Sequence, residues 1–301
     1  MQTEPIEDDF GLKPRVLSLV RPWPLRLSCW TRPAETGAPT WLLLHGTGSH
    51  HGSFRRLCAH LPAKVGLIIP DLPGHGASSF EAITPPSEPG DVNTPKRFGL
   101  KETAQWLEEA LDQLEAMPTL LIGHSAGGAI ALAMALTQPD RRVLGLAPSL
   151  VPPPQVYNTL VGPWLGPMVR SRPSLALGHW LACQRAVIDH LLASTASPIE
   201  PAQSARYRAL FRSRQHLEGT LAFMAGTDLP ELLADSRLAT IRRVGVLSTR
   251  DDPWIPAPAL KRVLHQHLPA AQTRWLDRGG HLFHETNVAP VVDFIAELTS
   301  P

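Results

Sequence analysis

Gly123-His124-Ser125-Ala126-Gly127 carries the clearest chemical content in this chain. A serine hydroxyl is a weak nucleophile at neutral pH. It attacks a carbonyl only where a base takes its proton and fixed donors hold the oxyanion. The G-x-S-x-G spacing meets the geometric demand, because glycines on either side let a strand and a helix close on each other and thrust the serine out of the turn between them. Such a serine also heads a helix, whose free N–H groups favour developing negative charge. Arg278-Gly279-Gly280-His281 offers an imidazole on a loop that glycines allow to fold back, with His284 as a competitor. We expect His281 to be the base and His284 to support it. Thr249-Arg250-Asp251-Asp252 offers two adjacent carboxylates, either able to fix the imidazole tautomer and stabilise the imidazolium. The N–H groups of Thr47, in His45-Gly46-Thr47-Gly48, and of Ala126 are the expected oxyanion hole. The chemistry predicted is acyl transfer through an acyl-Ser125 intermediate, with no metal and no organic cofactor.

Other histidines and glycines carry less. His50-His51 can ligate a metal, but no third ligand stands close in sequence. Gly46-Thr47-Gly48-Ser49-His50-His51 lacks the last glycine of a dinucleotide-binding turn. His265 and His267 read as the solvated end of a helix.

These groups must be positioned by alternating elements. The stretch from Val16 to Trp30 reads as an opening pair of strands, broken by Pro22 and Pro24. Trp41 to His45 and Val65 to Pro70 are continuous apolar runs, as buried strands of a parallel sheet require. A short helix is expected over Phe54–Leu61 and a Pro- and Gly-rich loop over about 78–99. Leu100 to Met117 has helical periodicity, with Trp106, Ala110, Leu111 and Leu114 on its inner face. Strands at Thr119–Gly123 and Val143–Ala147 flank a helix at Ser125–Thr137. The alternation then stops, and the sequence reads as proline-broken helices to about Arg237, with Trp164 and Trp180 among many leucines. It resumes with a strand at Val244–Ser248, a helix at Ala257–His267, a strand near Thr273–Leu276 and a helix at Val288–Leu298. The expected fold is α/β, a mostly parallel central sheet with helices on both faces. A helical cap, 151–238, is inserted between core segments 1–150 and 239–301, with Val151–Gln155 as a candidate hinge.

Composition narrows the function classes. With 301 residues, 43% of them hydrophobic, the chain can bury a large core. A net charge of +1 gives no electrostatic case for nucleic acid. Cys29, Cys58 and Cys183 form neither a disulfide framework nor a zinc spacing, and read as reduced thiols. There is no basic, apolar leader and no apolar run of transmembrane length, so a cytoplasmic protein is expected, with peripheral membrane contact left open.

The motifs at His45-Gly46, Asp71-Leu-Pro-Gly-His75-Gly76, Gly123–Gly127 and Gly280-His281 stand where α/β-hydrolases have theirs, and the resemblance covers nearly the whole chain. In that fold the chain order is nucleophile, acid, histidine. The family's turn of Asp, two residues, an aliphatic and Pro matches Asp252 through Ile255-Pro256, which selects Asp252 over Asp251. Some relatives carry the acid one strand earlier. Here no Asp or Glu occurs between Asp140 and Asp189, so that place is empty. The family's Asp-nucleophile dehalogenases and epoxide hydrolases are disfavoured by Ser125, whereas carbon–carbon bond hydrolysis stays open.

Within the superfamily the chain resembles the hydrolases encoded with bacteriochlorophyll-synthesis enzymes, the magnesium-chelatase accessory family. The resemblance rests on Leu43-Leu-His-Gly-Thr-Gly48, Gly280-His-Leu-Phe-His-Glu285, Tyr207-Arg-Ala-Leu210, His216-Leu-Glu-Gly219 and Phe223-Met-Ala-Gly-Thr-Asp-Leu229. Thr227 stands where that pattern has a Trp, which would reshape a pocket. The resemblance implies a role near magnesium insertion, with a porphyrin as ligand and chelatase subunits as partners. A cap over the strand ends forms one wall of the site, and an apolar wall fits a hydrophobic ester or tetrapyrrole. His124, Phe223, Met224 and Trp254 are the expected substrate contacts. The rival reading is an accessory protein that binds porphyrin or assists the chelatase, with little hydrolysis.

Overall fold

Inner strands of this protein are unbroken apolar runs because both faces of their sheet are covered. The computed structural model describes residues 10–80, 99–152 and 172–300. Its strands are β1 (Lys13–Leu19), β2 (Leu25–Arg32), β3 (Thr40–Leu44), β4 (Gly66–Pro70), β5 (Ser79–Phe80), β6 (Leu120–His124), β7 (Arg142–Leu146), β8 (Val244–Thr249) and β9 (Gln272–Leu276). They form one sheet in the order β1-β2-β4-β3-β6-β7-β8-β9, with β5 beside β2. The pairs β1–β2, β2–β4 and β2–β5 are antiparallel, and from β4 to β9 every pair is parallel.

Alternation along β3 and β6 divides the core. Leu42, Leu44 and Leu121 pack with Trp106 and Leu107 of α2 (Leu100–Gln113) and with α3 (Ala126–Ala135). Trp41, Leu43, Leu120 and Ile122 pack on the other side, with Leu57 of α1 (Arg55–Cys58) and with Phe294 and Ile295 near the C-terminus. Every residue of α3 is buried, so the helix behind Ser125 lies inside the molecule.

Between β7 and β8 the described chain is helical: α4 (Arg172–Ala182), α5 (Arg185–Ala193), α6 (Pro201–Phe211), α7 (Arg214–Gly226) and α8 (Leu229–Leu233). Helix α6 starts at a capping box in which Glu200 and Gln203 satisfy each other's backbone N–H, followed by Pro201. The insertion has its own core of Ile188, Leu192, Tyr207, Phe211, Leu217 and Leu221, which Leu282 of the sheet domain joins. Helices α9 (Ala257–His267), α10 (Phe283–Thr286) and α11 (Ala289–Thr299) complete the fold.

Three local expectations shift. The helix expected over Phe54–Leu61 is a 3-10 turn at His51–Phe54 leading into the short α1. Pro62 disfavours helical backbone at Leu61 and so stops it early. Ser125 is not helical, because its backbone turns at φ 51° before α3 begins. Ser79–Phe80 adds a strand where a loop was expected. Trp164 and the hinge expected at Val151–Gln155, beyond Pro152, lie outside the described residues. Among the described residues, no helix is long and apolar enough to cross a membrane.

Candidate active site

Ser125 stands at the turn between β6 and α3. Its φ of 51° and ψ of −117° are strained for a residue with a side chain. The turn is held by a bond from Ser125 N–H to the Leu146 carbonyl at 2.9 Å and by Ser149 N–H on the Ser125 carbonyl at 2.9 Å. Strand and helix approach so closely that a Cβ at Gly123 would collide with the main chain of Gly127, and one at Gly127 with the Leu44 carbonyl. The spacing of the glycines is therefore dictated by contact between backbones.

His281 joins Ser125 to Asp252. Its Nε2 is 3.1 Å from Ser125 Oγ and its Nδ1 is 2.8 Å from Asp252 Oδ2. The other carboxylate oxygen of Asp252 accepts the N–H groups of Trp254 at 2.8 Å and Ile255 at 2.9 Å. Asp252 is thus buried with both oxygens occupied, and it presents one of them to the imidazole. An acceptor on Nδ1 keeps the proton there and leaves Nε2 able to take one from the serine. Ser125 itself is partly exposed.

Asp251, the competing carboxylate, has a different task. It accepts Gly280 N–H at 3.0 Å and Gly279 N–H at 3.2 Å, and so ties down the loop that carries His281. Burial would raise its carboxyl, but the N–H groups of Gly280 and Gly279 outweigh that and hold it below its ordinary value.

The loop after β3 runs against the serine. A Cβ at Gly46 would lie 3.0 Å from Ser125 Cβ and 2.8 Å from His124 Nδ1, so only a glycine lets this main chain pass. Thr47 follows on that loop, and Ala126 is the first residue of α3, where the N–H is one of the donors a helix leaves free. His45 fixes the loop from below. Its Nδ1 donates to the Gly46 carbonyl at 2.8 Å and its Nε2 accepts Leu72 N–H at 2.9 Å. Burial pushes the His45 imidazole down to about 3, so it stays neutral.

The side chains expected at a substrate divide. His124 is buried, its Nε2 3.0 Å from the His281 carbonyl, and its ring stacks on His284 at 3.9 Å between centroids. A carbonyl only accepts, so Nε2 carries the proton. Phe223 is buried in the core and edges onto His75 at 5.9 Å. Trp254 and Met224 are partly buried. The Trp254 ring lies parallel to the His281 imidazole, 5.7 Å between centroids. His284 is completely buried at the position expected for a supporting residue, with no hydrogen bond to either ring nitrogen among the described residues.

The third potential ligand missing in the sequence near His50-His51 comes from β4's end. Asp71 lies with both within 4.8 Å. The carboxylate is already engaged, taking His51 Nδ1 at 2.7 Å, His51 N–H at 2.9 Å and Ala77 N–H at 2.9 Å. This set holds the loops at residues 50 and 76 together.

Residues 207–219, singled out by resemblance, prove to be seams between insertion and core. Tyr207 donates to Glu285 Oε1 at 2.5 Å and meets Ser49 Oγ at 3.3 Å. Arg206 pairs with the other oxygen of Glu285. His216 accepts Gly76 N–H at 3.0 Å and donates to the Gly48 carbonyl at 3.3 Å. The anchoring role of Asp251 had no signal in the sequence beyond its place beside Asp252, and that of Glu285 none beyond its place after Gly280-His281.

Comparison with known proteins identifies the family and the fold. Residues 41–294 match the alpha/beta hydrolase family. The magnesium-chelatase 30 kDa subunit of Rhodobacter capsulatus is 36% identical over 260 residues, 85% of this chain and 84% of that protein. The pimeloyl-[acyl-carrier protein] methyl ester esterase of Aeromonas salmonicida is 27% identical over 81% of this chain and 88% of its own length. Among solved structures, the thermophilic esterase of Thermogutta terrifontis superposes with a TM-score of 0.69 at 18% identity, covering 95% of this chain and 97% of the esterase.

Proposed function

Since this chain belongs to the alpha/beta hydrolase family, we propose that it is a serine hydrolase acting on an ester or related carbonyl bond of a hydrophobic substrate, with Ser125, His281 and Asp252 as its triad. The observation that carries the reading is the His281 imidazole spanning Ser125 at 3.1 Å and Asp252 at 2.8 Å.

His281 takes the Ser125 proton as Oγ attacks the carbonyl carbon. The Thr47 and Ala126 N–H groups hold the oxyanion, a donor of this kind being worth about 3 kcal/mol of barrier. His281 then protonates the leaving alkoxide, activates a water on the acyl-enzyme, and returns the proton to Ser125. Asp252 keeps the imidazole in the receptive tautomer throughout. The Rhodobacter capsulatus relative is named a magnesium-chelatase subunit, which supports a role at the magnesium-chelatase step; joined to ester chemistry at Ser125, that makes a tetrapyrrole ester of bacteriochlorophyll synthesis the substrate class we propose.

A fluorophosphonate probe tests the reading. Labelling is expected in the wild type and lost in Ser125→Ala and His281→Ala. A folded wild type that does not label defeats it. Ester hydrolysis, with a porphyrin methyl ester among the substrates, follows.

The name of the same relative supports a second reading, in which the protein binds porphyrin and assists the chelatase with little turnover. That reading expects porphyrin affinity, and pull-down of chelatase subunits, unchanged in Ser125→Ala.

A further inference from the structure

The main chain of His281 is gripped from two sides. Its carbonyl accepts from His124, on the nucleophile strand, at 3.0 Å. Its N–H donates 2.8 Å to the carbonyl of Thr195, which belongs to the helical insertion. The next N–H, of Leu282, donates to Ser197 Oγ at 2.7 Å across 85 residues of sequence. Ser197 Oγ in turn lies 3.3 Å from the Thr195 carbonyl, so one hydroxyl accepts from the His281 loop and donates to the acceptor beside it. Thr195 Oγ1 closes the segment onto the Leu192 carbonyl, at the end of α5.

Contact reinforces the bonds. Gly280 has a φ of 64°, and a Cβ there would collide with the main chain of Thr195 and Ala196. Trp254 adds a third tie. Its N–H holds Asp252 at 2.8 Å, its Nε1 donates to the Ser194 carbonyl at 3.1 Å, and its ring covers the His281 imidazole. Base, acid and insertion therefore meet at one short segment.

We infer that Ser194–Ser197 is a clamp that positions the catalytic base, with Ser197 as its key positioning side chain, so that the triad is competent only while the insertion is docked. The inference rests on the triad reading. Physically, a proton-transfer partner must be held within about 0.5 Å and 10–20° of its productive pose, and a misplacement of about 1 Å costs on the order of a hundredfold in rate. Asp252 and Ser125 orient only the ring of His281. Its backbone needs separate anchors: His124 and Asp251 supply them from the core, and the insertion supplies those on the N–H groups of His281 and Leu282. A ligand or partner that moves the α5–α6 junction would change reactivity without touching the triad.

The test uses the full chain with Ser197→Ala and Ser197→Thr. The readouts are fluorophosphonate labelling, p-nitrophenyl butyrate turnover and the downfield proton resonance of His281 Nδ1. Ser197→Ala is expected to label about tenfold more slowly. Its kcat should fall by a similar factor with KM within about twofold, and its Nδ1 resonance should broaden. Ser197→Thr, which keeps the hydroxyl, should restore most of the rate. Wild-type rate and a sharp resonance in Ser197→Ala overturn the clamp. If the wild type does not label, the triad reading fails by itself and the resonance decides, because the clamp predicts its broadening in Ser197→Ala regardless of turnover. If Ser197→Ala does not fold, Trp254→Phe, which loses the indole N–H contacts to Ser194 and part of the ring beside His281, is expected to show the same effects in smaller measure, and wild-type behaviour there overturns the clamp.

Discussion

His124 Nε2 lies 3.0 Å from the carbonyl of His281, so the residue before Ser125 holds the backbone of His281. His124→Phe keeps an aromatic ring beside His284 and removes the donor, with some added ring volume at a buried site. A buried carbonyl left unpaired costs about 1–3 kcal/mol. Thermal unfolding should register a loss of that size, with labelling slowed several-fold. Unchanged stability and labelling would show that the bond to the His281 carbonyl carries no weight.

Asp251 and Asp252 should separate cleanly. Asp252→Asn offers an amide N–H toward Nδ1 and so favours the wrong tautomer, with an expected loss on the order of 10⁴ in turnover. Asp251→Asn keeps an oxygen for the Gly280 or Gly279 N–H and should lose less than about tenfold. Single-turnover acylation by p-nitrophenyl butyrate measures both, and comparable losses would contradict the assignment.

Ser125 pays in backbone strain for its position, at φ 51°. Such strain is worth about 1–3 kcal/mol, offset in a glycine variant by about 0.5–1 kcal/mol of added unfolded-state freedom. Ser125→Gly should therefore be more stable than Ser125→Ala by about 1 kcal/mol. Denaturant titration of the two inactive variants checks it, and equal midpoints would mean that the turn is relaxed.

Acid should unfold this protein early. Burial pushes the imidazoles of His45, His216 and His284 down to about 3 and that of His75 to about 4. In the unfolded chain each takes a proton near pH 6.5. Between there and the folded values the unfolded state binds more protons, so stability falls as pH falls through that window. Tm followed from pH 7 to pH 4.5 should drop steeply. His284→Phe removes one of these groups, and both nitrogens of that ring lack partners among the described residues. The variant should show a shallower slope and an equal or higher Tm at neutral pH. A slope matching wild type would show that His284 takes up its proton alike in the folded and unfolded chain.

Much of the sheet was legible because buried parallel strands leave plain apolar runs, as at Trp41–Leu44 and Val244–Leu247. The glycine spacing around Ser125 was legible for the same kind of reason, since it records a backbone contact that no other residue allows. Asp252 and Asp251 are alike in type and adjacent; the register of the turn to Ile255-Pro256 favoured Asp252 by resemblance, but the task of each carboxylate is visible only in its direction. The N–H groups of Trp254 and Ile255 turn one toward His281, and those of Gly279 and Gly280 turn the other away. Asp71 could not be joined to His51 by inspection, because the pair forms across β4 from residues 20 apart. Thr195 was invisible, since it acts through a main-chain carbonyl that every residue type possesses.

The bonds of Tyr207 and Arg206 to Glu285, and of Thr195 and Ser197 to residues 281 and 282, have a consequence for anyone building chimeras. Insertion and C-terminal loop are separate in the gene but are one part mechanically. Exchanging the helices between β7 and β8 for those of a relative leaves Glu285 as a buried acid without its cation unless the loop from Gly279 to Glu285 is transplanted too. The module that can be grafted is discontinuous, and its borders run through the seam at residues 195–207 rather than along the edges of the helices.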